Sequence, residues 1–360
     1  MKIAVVIGTR PEIIKMAPLI REMDRTQQDY FILHTGQHYS YNLAKLFFDQ
    51  LRILSPKYNV ESGSGSPGEQ TAKIIIGVEK VLQQEKPDIV LVEGDTNSVL
   101  ASTLAATKLH IKVGHVEAGL RSCDRNMPEE INRIITDHCA DLLFAPTNKS
   151  KNILKNEGIP ETKIFLTGNT IVDAVRENLE ISQKTTNIAD DMGIKPKEYF
   201  LVTIHRQENI DARNRFTSIL KGLEQIASEF NIPVIYPIHP HSKKMMTKFK
   251  LESQQITLIE PIDFLSFLQL EKNARLILTD SGGVQEESCI LGVPCVTLRD
   301  NTERPETIEV GANILAGTSP EKMLGCLKIM LARKADWINP FGDGTAGKKI
   351  VEIVTGHKYA

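Results

Sequence analysis

No apolar run in this 360-residue chain reaches the roughly 20 residues that a membrane-spanning helix requires. Excess charge is lacking too. The formal net charge is −2 and charged residues make up 24%, so no overall basic field draws the chain to nucleic acid or an anionic membrane. The five cysteines, Cys123, Cys139, Cys289, Cys295 and Cys326, show neither metal spacing nor an even framework. They read as reduced, partly buried residues of a cytosolic protein. The opening Met1-Lys2-Ile3-Ala4-Val5-Val6-Ile7-Gly8 reads as a strand and turn, too short and wrongly flanked for a signal peptide. Low-complexity repeats are missing as well. What remains is a cytoplasmic protein of enzyme size, long enough for two domains with separate cores.

What is present is a repeating rhythm. Short Val/Ile-rich runs end in polar residues and are followed by segments of 3.6-residue period, the signature of parallel α/β sheets. Strands are predicted near 3–7, 30–34, 89–92, 113–116, 142–145 and 164–166. Helices between them are clearest at 11–23, 99–109 and 129–139, with Pro11 at a first helical position and Ile13, Ile14, Ala17, Ile20 and Met23 on the buried face. The strand signal lapses over 171–197 and restarts at 200–204, 234–238, 257–259, 276–278, 295–298 and 314–315. Two six-strand sets imply two doubly wound Rossmann-like domains facing across a cleft. The expected division is 1–170 and 171–345, with a C-terminal helix over 346–360 crossing back to the first domain. The Ser62-Gly63-Ser64-Gly65-Ser66-Pro67-Gly68 run reads as a flexible loop.

Ligands of open parallel sheets bind beyond the carboxyl ends of the strands, which turns a strand list into a site list. In the first half the exits carry Thr9-Arg10, Gly36-Gln37-His38, Glu93-Gly94-Asp95-Thr96 and Glu117-Ala118-Gly119-Leu120-Arg121. In the second they carry His205-Arg206-Gln207-Glu208-Asn209, His239-Pro240-His241, Glu260-Pro261 and the turn at Ser281. That last stretch, 277–288, reads strand, glycine turn, helix start. Its free N–H groups lie at the positive end of a helix dipole, and Gly282 and Gly283 leave them unshielded from a phosphate. Glu286 and Glu287 fall in the first turn, where one can cap the helix and another hold a sugar hydroxyl. An ordinary strand-to-helix turn is the competing explanation.

The charges sort by role. Arg10, between a strand and a helix start, can grip a phosphate in two places. Lys15 projects near the same first turn, or is a solvated surface lysine. Asp95, Glu117 and Glu129 are the candidate acid–base carboxylates. Clustered carboxylates repel, so at least one is expected to hold its proton toward neutrality. Glu129 reads equally well as a dipole cap, with Glu130 and Arg133 as solvated partners. His205, beside Arg206, is expected to enter the cleft from the second domain. His239 with His241, and His34 with His38, lack a complete ligand set, and no metal is expected.

With these residues in view the chain resembles the non-hydrolysing UDP-N-acetylglucosamine 2-epimerases nearly end to end. The resemblance is carried by Gly8-Thr9-Arg10-Pro11-Glu12, Thr35-Gly36-Gln37-His38, Gly94-Asp95-Thr96, Gly114-His115-Val116-Glu117-Ala118-Gly119-Leu120-Arg121 and Pro128-Glu129-Glu130-Ile131-Asn132-Arg133. In the second half it rests on His205 to Asn209, Thr279 to Glu287 and Thr302-Glu303-Arg304-Pro305-Glu306. It implies a glycosyltransferase-B architecture, a homodimer, and inversion at C2 of the sugar between UDP-GlcNAc and UDP-ManNAc. No NAD and no essential metal is implied. It further implies anti elimination of UDP to a bound 2-acetamidoglucal, then re-addition. Asp95, Glu117 and Glu129 would be the acid–base groups, and Arg10, His205 and the Ser281–Gly283 turn would hold the diphosphate. Lys15 would be a nucleotide-side contact, Glu287 a ribose partner and Phe267 the uracil-side aromatic. Gln37, His38 and His239 match part of a second, activating UDP-GlcNAc site, where Ser40 and Glu69 replace longer polar and basic residues. A UDP-sugar transferase on the same scaffold, a hydrolysing 2-epimerase releasing ManNAc, and a nucleotide-sugar sensor without turnover are the rival readings.

Overall fold

The computed structural model describes residues 1–37, 47–63 and 65–356. The chain divides into two compact units, Met1–Glu177 with Phe341–Ala360, and Asn178–Pro340. In the first unit β1 (Lys2–Ile7), β2 (Asp29–His34), β3 (Tyr58–Asn59), β4 (Ile89–Glu93), β5 (Lys112–Val116), β6 (Leu142–Ala145) and β7 (Ile164–Leu166) form one sheet. All its pairings are parallel and the order is β3-β2-β1-β4-β5-β6-β7. The sequence predicts six strands here. The seventh, β3, is an edge strand of two residues, too short to leave any period in the sequence.

Helices α1 (Arg10–Arg25), α2 (Pro67–Glu85), α3 (Asn97–Lys108), α4 (Pro128–Cys139) and α5 (Asn148–Asn156) connect these strands, and α6 (Thr170–Thr185) follows the last of them. The stripe Ile13, Ile14, Ala17, Ile20, Met23 of α1 is buried, as its spacing predicts. Strands buried on both faces need continuous apolar runs. Ala4, Val5, Ile7, Val90, Leu91 and Val92 are fully buried, each stabilising the fold by about 1.5–3 kcal/mol for the larger aliphatics. One reading of the serine–glycine run needs correction. Pro67 and Gly68 are not loop but the first turn of α2, with Ser66 accepting from the Glu69 N–H. A capping serine before a proline is a helix start, and the loop composition around it masks the signal.

The second unit repeats the plan with one strand fewer. β8 (Phe200–Thr203), β9 (Val234–Pro237), β10 (Ile256–Ile259), β11 (Leu276–Thr279), β12 (Cys295–Thr297) and β13 (Asn313–Leu315) run parallel in the order β10-β9-β8-β11-β12-β13. Its longer helices are α7 (Arg213–Phe230), α8 (Pro240–Phe249), α9 (Phe264–Asn273), α10 (Gly282–Leu291) and α11 (Pro320–Ala332). In both sheets the strand order reverses beside the first strand of the unit, between β1 and β4 and between β8 and β11. That is the switch point at which doubly wound sheets take ligands. Among the described residues no helix is long and apolar enough to cross a membrane.

The chain passes from one unit to the other within α6, at Glu177, and returns at Phe341. The last helix, α12 (Ala346–Thr355), packs on α1: a Cβ on Gly347 would lie 3.0 Å from Pro18 Cβ. Its N-terminus is capped from within the same unit, since the buried Asp173 carboxylate accepts the Gly347 N–H at 2.9 Å and the Ala346 N–H at 3.2 Å. Burial pushes that carboxyl up to about 6, against the pull of the two amides. Replacing Asp173 with alanine is expected to cost about 1 kcal/mol, the worth of a helix cap. Hydrogen exchange should show the amides of Ala346 and Gly347 opening first; unchanged protection there would refute the capping role.

Candidate functional site

The carboxyl edge of the first sheet is built around its switch point. β1 exits through Gly8 and Thr9 into α1, and β4 exits through Glu93 into Gly94 and Asp95. The exits are packed so closely that a Cβ on Gly8 would lie 2.0 Å from Ser98 Oγ and 2.2 Å from Thr35 Oγ1; only glycine fits. Glu12, in the first turn of α1, turns back on this junction. Its carboxylate accepts the N–H groups of Gly8 and Thr9 and the Thr96 hydroxyl. Burial nonetheless pushes it up to about 7.

Two of the three sequence-predicted carboxylates share this edge directly. β4 and β5 are neighbours, with Glu93 in register with Val116, so Asp95 and Glu117 follow adjacent strand ends. Glu117 is buried and has φ +67°, the left-handed region that a side chain enters at a cost of about 1–3 kcal/mol. Its carboxylate is held by Lys15 Nζ at 2.5 Å and Asn169 Nδ2 at 3.0 Å. Lys15 also lies 3.2 Å from Glu93 Oε1. The structure thus places Lys15 among carboxylates, where the sequence offered a nucleotide contact or a surface lysine.

Asp95 is anchored from α4. Arg133 Nη2 lies 2.5 Å from Asp95 Oδ2, and Asn132 Nδ2 donates to the Asp95 carbonyl at 2.8 Å. Arg133 and Glu130 are buried, not solvated, and Arg133 Nη1 meets Glu130 Oε2 at 2.8 Å. The correction has a simple cause: Glu130 accepts the N–H groups of Ser122 and Cys123, contacts invisible at helical spacing. Glu129 lies exposed on the same first turn. Beneath them His115 bridges the Gly94 carbonyl at 2.8 Å and Asp137 at 2.7 Å. Burial would raise Asp137, but the His115 and Arg121 charges and hydrogen bonds outweigh it and hold it below the usual carboxylate range.

The buried carboxyls pushed upward at this edge are Glu93 and Glu12, neither of them among the three candidates. Glu93 is pushed well above its ordinary range by burial, with Glu117 and Glu12 adding to the push and Lys15 opposing it. Its only sequence signal was its place as the last residue of an apolar strand. Asn169 and Asp137 carried none, and Arg133 was visible only as a helical neighbour of Glu129.

The remaining first-unit candidates lie around the same edge. Arg10, the first residue of α1, stacks over the Phe47 ring at 4.8 Å. Gln37 is buried, its Oε1 accepting the Ser98 N–H at 3.0 Å and hydroxyl at 2.6 Å. His38 lies outside the described residues.

In the second unit the edge is organised by a residue not singled out as functional. Asp280, fully buried after β11, accepts the N–H groups of His205 and Arg206 and the Asn209 amide at 3.0–3.2 Å. Its Oδ1 is 3.2 Å from His205 Nδ1. Burial would raise this carboxyl, yet His205 and the donors hold it low. Asp280 therefore orients the exposed His205 ring at the end of β8.

The adjoining turn has the expected strand–turn–helix geometry. Ser281 is the N-cap of α10, so the capping role offered to Glu286 or Glu287 is corrected: Glu286 sits beyond the first turn, buried, with Oε1 2.8 Å from Arg304 Nε. Glu287 is nearly buried too, and its charge, after burial, is what pushes Glu271 well above its ordinary range. A Cβ added to Gly282 or Gly283 would come no nearer than 3.9 Å to any neighbour. The fold itself does not require glycine at either place. Phe267 is half-buried in the first turn of α9, and the exposed His239 caps α8 by accepting the His241 N–H at 3.3 Å. Burial and the charges of His205 and His241 lower the His239 pKa.

Two doubly wound parallel units, one with a carboxylate edge and one with a strand–turn–helix junction at Ser281, define a Rossmann-like protein of the glycosyltransferase-B class. Residues 21–355 match the family model described as UDP-N-acetylglucosamine 2-epimerase, and the chain belongs to that family. It is 55% identical to the UDP-N-acetylglucosamine 2-epimerase of Methanocaldococcus jannaschii over 100% of both chains. It is 52% identical to that of Methanococcus maripaludis over 99% of both. Among solved structures, the M. jannaschii UDP-GlcNAc 2-epimerase in complex with UDP-GlcNAc and UDP matches with a TM-score of 0.90 and 55% identity, over 99% of this chain and 100% of that one.

Proposed function

We propose that the protein interconverts UDP-GlcNAc and UDP-ManNAc without hydrolysis. The observation that carries this reading is the pair Asp95 and Glu117, ending adjacent strands and each joined to its own cation, Arg133 and Lys15. Inverting C2 requires a proton to leave one face and return to the other, and two fixed carboxylates suit that exchange. In the forward direction the C2–H bond breaks, its proton passes to a carboxylate, and its electrons form the C1=C2 double bond of 2-acetamidoglucal. The C1–O bond breaks, and its electrons leave with UDP. Re-addition reverses both steps with the proton entering opposite. Glu129 on the first turn of α4 completes the acid–base set.

The second-unit edge serves the nucleotide. The α10 N-terminus at Ser281–Gly283 takes phosphate oxygens, as helix N-termini do. His205, steadied by Asp280, adds a donor where leaving-group charge develops. Arg10 assists at the diphosphate, Lys15 on the nucleotide side from its place beside the carboxylates, Phe267 at the uracil and Glu287 at the ribose. Family likeness supports a cytoplasmic homodimer needing no added cofactor. Gln37, His38 and His239 match part of the family's second UDP-GlcNAc site; turnover of UDP-ManNAc alone would count against a strict need for that activator.

Proton NMR of UDP-GlcNAc with the protein in heavy water, with no acceptor present, tests the reading. Deuterium should enter C2 as UDP-ManNAc appears. Unexchanged sugar would refute the proposal, and free ManNAc would convert it to a hydrolysing epimerase.

A further inference from the structure

Glu93 has no part in that scheme, yet it lies inside the cluster that does the work. It is 2% exposed, and its Oε1 is 3.2 Å from the same Lys15 ammonium that sits 2.5 Å from Glu117. Among the described residues Lys15 is the cation these two carboxylates share, and Glu117 holds it more closely, so ionising Glu93 as well would bury a charge that is only partly offset, which costs far more than a neutral acid. One of the two is therefore best protonated. Glu117 has the shorter contact to Lys15 and the Asn169 amide besides, so its charged form is the better supported. The proton belongs on Glu93.

We propose that Glu93 is a positioning residue for the epimerisation: by carrying the proton itself, it leaves the Lys15 ammonium to Glu117 and keeps Glu117 ionised for exchange at C2. The role rests on the activity proposed above. Burial raises Glu93 well above the carboxylate range, in line with this assignment. As pH rises and Glu93 ionises, it competes for the Lys15 ammonium and sets a second buried negative charge beside Glu117, so the contact that positions Glu117 loosens. Among the described residues the charged groups facing Glu93 are Lys15 and Glu12 from α1 and Glu117 from the exit of β5; His115 of β5 pairs with Val92 and so lies on the other face of the sheet, where it bonds the Gly94 carbonyl. β1 and α3, which also pack on β4, carry charge only at their distal ends, Lys2 and Lys108. Glu12 titrates nearby, at about 7, and has to be separated from Glu93.

The test uses the full chain with carbon-13 glutamate carboxyls. Resonances are assigned to Glu93 and Glu12 by their loss in Glu93→Gln and Glu12→Gln. Glu93 should remain protonated at neutral pH and titrate above it, and an ionised Glu93 at neutral pH would overturn the proposal. In turnover of UDP-GlcNAc, kcat of the unaltered protein should fall on the alkaline side, and Glu93→Gln should lose that fall. Its plateau kcat should drop by less than the roughly 10²–10⁴ that a catalytic carboxylate is worth. An alkaline fall retained unchanged, or an activity as low as that of Glu117→Gln at every pH, would also overturn it. Absence of any epimerisation by the unaltered protein would sink the proposed activity, while the carboxyl titration would still decide the state of Glu93.

Discussion

Glu117→Gln is expected to lower kcat for C2 inversion by roughly 10²–10⁴, the contribution of a positioned acid–base group. Glutamine matches the shape of glutamate, so the left-handed backbone at φ +67° is no worse occupied than before. What disappears is the charge. Lys15, deprived of its nearer carboxylate, turns to Glu93 at 3.2 Å and stabilises the ionised form of a group otherwise held neutral. UDP binding should survive, because Glu117 is not among the residues assigned to the nucleotide. The measurement is kcat from deuterium entry at C2, alongside UDP affinity by calorimetry and far-ultraviolet circular dichroism. Activity within tenfold of the unaltered protein would remove Glu117 from the proton exchange.

The second large effect has opposite signs in folding and in binding. Gly283→Asp places a carboxylate in the first turn of α10, where a negative charge favours the helix dipole by about 0.3–1 kcal/mol. The added Cβ meets nothing closer than Ser281 Oγ at 3.9 Å, so folding should be unharmed. The same carboxylate faces the place where the diphosphate is proposed to dock. Like-charge juxtaposition at an interface costs several kcal/mol, which at 1.4 kcal/mol per decade is a loss of about 10²-fold or more in UDP affinity. Gly283→Ala, adding bulk without charge, should fall between. If UDP binds Gly283→Asp as tightly as the unaltered protein, the α10 N-terminus is not the diphosphate site.

These expectations draw unequally on sequence and structure. The apolar runs of β1, β4, β8 and β11 were legible because strands covered on both faces must be apolar throughout, and a covered strand looks the same wherever it sits in the sheet. The polar residues after them were legible for a related reason: chain leaving a parallel strand at its carboxyl end meets solvent or ligand. That brought Asp95, Glu117, His205 and Ser281 into view from order alone. β3 escaped notice because two residues cannot show a period. The start of α2 escaped because Ser66 and Pro67 sit in a serine–glycine setting that reads as loop.

The chain order by itself determined the two doubly wound sheets and the carboxyl-edge residues, because burial on both faces and the polarity of strand exits are written locally. Only the tertiary structure decided which charges meet. Lys15 and Glu117 are 102 residues apart and His205 and Asp280 are 75 apart, so no spacing rule connects them. Whether a carboxylate keeps its proton depends on burial and on the nearest cation, and both are set by folding rather than by the residue's neighbours in the chain.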